Sequence, residues 1–144
     1  MIRKATIQDI EVLNELLESL FSQEKEFKPN EKKQKKALIR IINSKKLGDI
    51  FVLQKKKKIV AMVNILYTYS TALGGNVALL EDMIVKEDER GKGYGSKLLK
   101  SVLKTLKKEK ILRVTLLSDF DNEDAHKFYN RFGFEKSSMI VLRR

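Results

Sequence analysis

Three groups of residues have the types and spacing to do chemistry. The first is Arg90-Gly91-Lys92-Gly93-Tyr94-Gly95, followed by Ser96. It lies between an apolar run (Ala78 to Leu80, then Met83, Ile84, Val85) and an amphipathic one (Leu98, Leu99, Val102, Leu103, Leu106). A strand, a glycine-rich turn and a helix start, in that order, make a cradle for phosphates. Glycine lets backbone approach a ligand closely, and the first amides of a helix have no internal partner. The helix dipole adds partial positive charge at the same place, which Arg90 and Lys92 would strengthen. These glycines run Gly-x-Gly-x-Gly, one residue short of the dinucleotide-binding turn, and no P-loop string occurs. The plain alternative is a flexible surface turn.

The second group is Glu81-Asp82, two carboxylates inside an otherwise apolar strand. Side chains alternate across a strand, so one is expected on each face. A buried charge is costly unless paired or used. The pair therefore reads as a base or an anchor for a cationic substrate, against a structural salt bridge to a lysine. The third group is Tyr129 in a short helical pattern, where Ala125, Phe128 and Phe132 share one side. Tyr129 follows Ala125 by four residues, so it can face inward with its hydroxyl available as a general acid for a departing thiolate. Spacing alone equally allows a packed aromatic. His126, the single histidine, sits beside Lys127 and reads as structural; with no cysteine in the chain, a metal site is not expected.

The elements that position these groups follow from periodicity. Ile2 to Ala5 reads as a strand, Thr6 and Asp9 as a capping box, and Ile10, Leu13, Leu16, Leu17 and Leu20 as a helical stripe. A second helix is expected from Glu31 to Ile42, closed by Gly48-Asp49. Ile50 to Gln54 and Ile59 to Tyr69 predict an antiparallel hairpin around a lysine run, and Val77 to Val85 a further strand. After a helix starting near Gly95, Ile111 to Leu117 reads as a strand, Asn122 to Phe132 as a helix stopped by Gly133, and Met139 to Leu142 as a terminal strand or hairpin. Val77 to Leu117 is then a strand–helix–strand unit with parallel pairing. The fold class is α/β (or α+β), a mixed sheet covered by helices.

The 144 residues are expected to form a single domain, and no run is long enough to span a bilayer. The N-terminal residues lack the apolar core of a secretory signal, so a cytoplasmic location is expected. The 30 Lys and Arg against 19 Asp and Glu give a net charge of +11. The basic residues are dispersed over turns and polar helix faces, which suits a solvated surface better than a nucleic-acid stripe.

Two motifs in register resemble one known family. Leu80 to Val85 with Arg90 to Gly95 resembles the acetyl-CoA-binding motif of the GNAT superfamily of N-acetyltransferases, Arg90, Gly93 and Gly95 matching in place. Asn122, Ala125, Phe128, Tyr129, Gly133 and Phe134 match its second motif. The resemblance implies a mixed, centrally split β-sheet flanked by helices, in the order β-α-α-β-β-β-α-β-α-β. It implies acetyl-CoA as co-substrate, with the backbone around Met83, Ile84 and Val85 pairing with the pantetheine arm. Arg90, Gly91, Lys92, Gly93, Tyr94, Gly95 and Ser96 would hold the pyrophosphate, and Asn122 would meet the pantetheine. Tyr129 would protonate the coenzyme A thiolate, Glu81 would act as base through water, and Glu81 with Asp82 would face a small, cationic primary amine. Absence of cysteine leaves direct transfer in a ternary complex. The chain departs from the family at Glu87, where proline is usual. Other readings are a protein N-acetyltransferase and, in a different class, a basic nucleic-acid-associated binding module. A homodimer through the terminal strands is a further expectation; membrane association is not.

Overall fold

The computed structural model describes residues 1–144. Strand β1 (Ile2–Lys4) leads through a 3-10 turn at Ile7–Asp9 into helix α1 (Ile10–Gln23). The turn is fastened by Asp9, whose Oδ2 accepts from the Thr6 amide at 2.7 Å while its two oxygens accept from Arg3 at 2.8 and 3.0 Å. These bonds hold the Asp9 carboxyl below its ordinary range, the Arg3 hydrogen bond foremost. Helix α2 (Glu31–Ile42) has the expected bounds, because Asn30 Oδ1 accepts from the Lys33 amide at 3.0 Å and caps it. A buried bond from Gln34 Nε2 to Asn14 Oδ1 (2.8 Å) joins α2 to α1.

Strands β2 (Gly48–Lys55), β3 (Lys58–Ser70) and β4 (Gly75–Val85) follow, then helix α3 (Tyr94–Lys108), strand β5 (Val114–Leu116) and helix α4 (Glu123–Asn130). The five strands lie in sequence order in one sheet, antiparallel from β1 to β4 and parallel between β4 and β5. The sheet is thus mixed, as expected. Each face carries its own core. Leu98, Leu99, Val102 and Leu106 of α3 cover Val63, Ile65, Ala78 and Leu80, with Phe128, Tyr129 and Phe132 of α4 packed alongside. On the opposite face Leu13 and Leu17 of α1 and Leu38 of α2 cover Val52, Met62 and Ile84. No helix is long and apolar enough to cross a membrane.

Three departures from expectation have local causes. The β2–β3 hairpin is tighter and its strands longer, because Lys56 (φ 46°) and Lys57 (φ 65°) both adopt the left-handed conformation of a two-residue turn between Lys55 and Lys58. That conformation usually calls for Asn-Gly, so the sequence conceals the turn. Gly48-Asp49 does not close α2, which ends at Ile42 with Asn43 as its C-cap; instead Gly48 opens β2, where any Cβ would strike the Ile65 carbonyl oxygen. The terminal strand does not form. Met139, Ile140, Val141 and Leu142 are exposed, and Arg143 is drawn to the loop between α1 and α2 by an ion pair to Glu26 and by the Phe27 ring. The observed order therefore ends at α4.

The feature that makes a site is the partial marriage of β4 and β5. They pair only at Ala78, Leu79 and Leu80, opposite Val114, Thr115 and Leu116, and then separate. At the same level β4 carries a bulge. Val63 pairs with Met83 and Ile65 with Leu80, leaving Asn64 alone opposite both Glu81 and Asp82.

Candidate active site

The bulge decides where the two carboxylates go. Without it, Ala78, Leu80 and residue 82 would share a face; instead Ala78, Leu80, Met83 and Val85 do, all packed on the α3 core. Glu81 and Asp82 together take the single step between Leu80 and Met83, on the α1 side. The expectation of one carboxylate per face is corrected accordingly. Asp82 Oδ2 accepts from Asn64 Nδ2 at 3.2 Å, and Glu24, just past α1, feels the charges of both. Burial pushes the Asp82 carboxyl up, against the opposing Asn64 bond. Glu81 is exposed along one side, yet lost hydration and the Asp82 charge push it up too.

Beyond Leu80, one edge of β4 faces the gap. The Lys86 amide donates to the Val60 carbonyl at 2.8 Å, which fixes Lys86 and Val60 as a hydrogen-bonded pair. Such pairs alternate in an antiparallel ladder, so Ile84 also turns its backbone to β3 while Met83 and Val85 turn theirs away. Ile84 is correspondingly absent from the gap: its side chain is buried in the α1 core. The Val85 carbonyl already accepts from Arg90 Nε at 3.0 Å. The Met83 and Val85 amides and the Met83 carbonyl are left without a strand partner.

Where the gap meets α3, a cavity of about 400 Å³ opens, lined by Val85, Arg90, Gly91, Gly93 to Ser96, Glu89 and Arg131. Gly91 (φ 74°) and Gly93 (φ 81°) hold the left-handed turn into the helix, a conformation glycine adopts at no steric cost. No side chain caps α3, and its first helical bond is Lys97 to Gly93, so the amides of Tyr94, Gly95 and Ser96 are free. Gly95 also joins the two motifs: a Cβ there would stand 3.4 to 3.7 Å from Val85, Met83 and Phe128. Lys92 does not line the cavity. Its Nζ pairs with Glu89 Oε2 at 2.9 Å, as does that of Lys55 at 3.2 Å, and the two lysines hold the Glu89 carboxyl below its ordinary range. Arg131, which sequence spacing did not single out, reaches the cavity from the end of α4 with its guanidinium 5.4 Å from the Phe128 ring centre.

Tyr129 stands edge-on to Phe128 (5.2 Å) and Phe134 (5.7 Å), and its hydroxyl makes no hydrogen bond within the protein. Burial pushes its hydroxyl up from the ordinary tyrosine range. Asn122 is an N-cap: its Oδ1 accepts from the Ala125 amide at 3.2 Å, and its Nδ2 has no partner within the protein. His126 Nε2 lies 2.9 Å from the Asp119 carbonyl oxygen and ties α4 to the preceding loop, a structural place.

This arrangement, a half-opened sheet with an uncapped helix at one end of the gap and carboxylates across from it, belongs to a known class. The profile of the acetyltransferase (GNAT) family matches residues 10–134, and the chain belongs to that family. It is a transferase fold for acyl groups. No match was found among curated proteins. Among solved structures, a possible acetyltransferase from Clostridium difficile 630 superposes with a TM-score of 0.91 at 19% identity, over 100% of this chain and 95% of that one. A GNAT family acetyltransferase of Staphylococcus aureus subsp. aureus USA300_TCH1516 gives 0.76 at 21% identity, over 100% and 97%. A ribosomal-protein-alanine N-acetyltransferase from Brucella melitensis biovar Abortus 2308 gives 0.75 at 16%, over 100% and 98%. At these identities the likeness establishes the shared fold.

Proposed function

We propose that the protein transfers the acetyl group of acetyl-CoA to a primary amine of a small cationic acceptor, by direct attack in a ternary complex. The observation that carries this reading is the row of unpartnered backbone groups. It runs from Met83 and Val85 in the gap to Tyr94, Gly95 and Ser96 at the uncapped start of α3. The first set suits an extended amide-bearing arm added as a strand, the second a pyrophosphate on a helix N-terminus. Arg90 is fixed by its Nε–Val85 bond, so its terminal nitrogens are directed by the strand. Lys92, engaged with Glu89, contributes less field than its position suggests.

In the reaction the amine nitrogen bonds to the acetyl carbon and the carbon–sulfur bond breaks. A free amide of β4 stabilises the carbonyl oxygen as charge develops on it. The attacking amine must be neutral, and Glu81, through water, takes its proton. Tyr129 would donate a hydrogen bond to the departing sulfur, and the proton released from the amine would neutralise the thiolate. Asp82, fixed by Asn64, draws the ammonium form of the acceptor to the same side. The whole chain is the catalytic unit, and a cytoplasmic setting supplies its co-substrate.

Calorimetry with acetyl-CoA and coenzyme A tests the donor half, and thiol release over a panel of amines, including peptides with free N-termini, tests the acceptor half. Absence of binding by both cofactors at millimolar concentration would remove the proposal. The same titration reads Arg131: Arg131→Ala is expected to weaken coenzyme A about tenfold, the loss of one charge-assisted phosphate contact, with kcat at saturation unchanged. Unaltered affinity would leave Arg131 as a cap on the Phe128 ring. For nucleic acid, duplex titration across salt is decisive, since phosphate binding weakens steeply as salt rises.

A further inference from the structure

The chain carries 30 lysines and arginines, yet Glu24, Glu81, Asp82 and Asp119 converge on the acceptor side and none of them is in an ion pair. Burial pushes the Glu24 carboxyl up, and the charges of Asp82, Asp119 and Glu81 add to it in that order. Behind them lies Asn64, only 5% exposed, aimed at Asp82 through Nδ2. Its Oδ1 is buried and has no hydrogen-bond partner. A buried acceptor without a donor, beside carboxylates without an ion pair, leaves this side short of N–H groups and of positive charge.

One cation of the protein already stands at the rim. Arg143 pairs with Glu26, lies 5.7 Å from the Phe27 ring centre, and is the one cation that offsets the charge gathered at Glu24. It reaches this place on the exposed segment Met139 to Leu142, which pairs with no strand. Lys25, bound to Asp121 at 2.9 Å, ties the same α1–α2 loop to the loop before α4, so the rim has two tethers. Only the Arg143 tether comes from the chain's last residues, beyond every helix and strand.

We propose that Arg143 is a built-in competitor: the segment Met139–Arg144 is a strap that rests its guanidinium where the second positive group of a dicationic acceptor binds, and must yield that place for the acceptor to seat. The inference rests on the acidic side being the acceptor side, as proposed above. The reacting ammonium takes its place against Asp82, and the distal cation between Glu24 and Glu26 on the face of Phe27. A monoamine fills only the first position and leaves the strap in place. The strap thereby tunes affinity for dications while leaving the transfer step alone.

Titration of putrescine and of n-butylamine into the protein without acetyl-CoA tests this directly. An exposed ion pair is weak, so Arg143→Gln is expected to tighten putrescine about three- to fivefold and to change n-butylamine by less than about twofold. Arg143→Lys, which keeps the charge, should bind both amines as the unaltered protein does. The strap is overturned if putrescine binds Arg143→Gln no more tightly than the parent, if both amines tighten equally, or if putrescine binds neither protein. Because these titrations contain no thioester, they separate the two readings. Tighter putrescine binding by Arg143→Gln, with no thiol release for any amine, would uphold the strap and remove acetyl transfer.

Discussion

Tyr129→Phe is expected to lower kcat about 100-fold while leaving the affinity for acetyl-CoA within about twofold. The magnitude follows from what a buried phenol can give. Burial places the Tyr129 hydroxyl above its ordinary range, whereas a thiol titrates near about 8.5. Complete proton transfer from the phenol to a thiolate is therefore uphill. The phenol acts chiefly by offering a short hydrogen bond as charge gathers on sulfur, and loss of one such donor costs about 10² to 10³ in rate. Phenylalanine keeps the edge-on packing against Phe128 and Phe134, so folding and cofactor binding should survive. Steady-state kinetics beside calorimetry checks both halves. Weaker binding with unchanged turnover would make Tyr129 a wall of the site and nothing more.

Glu81→Gln is expected to act in opposite directions on rate and on stability. The rate should fall about 10- to 100-fold, within the range of general base catalysis, and the acidic limb of the rate–pH profile should disappear. The stability argument needs its sign worked out. Burial and Asp82 raise the folded-state pKa of Glu81 above its unfolded value. Between those two values the folded protein binds the extra proton, so stability declines as pH rises through that window and stays lowered above it. Glutamine removes the strained charge. After discounting for the exposure of this side chain, melting at neutral pH should rise by about 1–3 °C and the gain should vanish below about pH 4. A salt-bridged structural glutamate would do the reverse, losing stability at neutral pH on substitution. Thermal melts at two pH values with the rate–pH profile discriminate between the roles.

What sequence could and could not reveal divides along a physical line. Helix α2 was readable to the residue because both its signals are local: Asn30 caps it, and Leu38 and Ile41 fall on one face. The two motifs are readable because glycine at 91 and 93 in the first and at 133 in the second answers to left-handed backbone, a demand no other residue meets cheaply. The bulge at Glu81-Asp82 was not, since period-two alternation assumes an unbroken ladder and no glycine marks the break. Lys56-Lys57 was hidden for the converse reason, two lysines occupying a conformation their type does not announce. Asn64, Glu24 and Arg131 are not legible in the sequence, because each gains its meaning only from partners far away in the chain. The apolar run Met139 to Leu142 looks like a strand by composition, but pairing is a property of two segments, and β5 has only three residues. Arg143 found partners elsewhere.

An unpaired strand edge is ordinarily a hazard, because it invites another chain to extend the sheet. In this protein the open stretch of β4 lies inside the sheet, between β4 and β5, instead of along its border. One face of that stretch is covered, where Met83 and Val85 pack with Tyr94 and Phe128 against the α3 core. An incoming polypeptide strand would need room for side chains on both faces, and it would find room on one. A slender chain with amides but no side chains meets no such obstacle. The slot thus sorts visitors by cross-section before any charge is read, and the fold keeps a reactive edge open without exposing itself to its own kind.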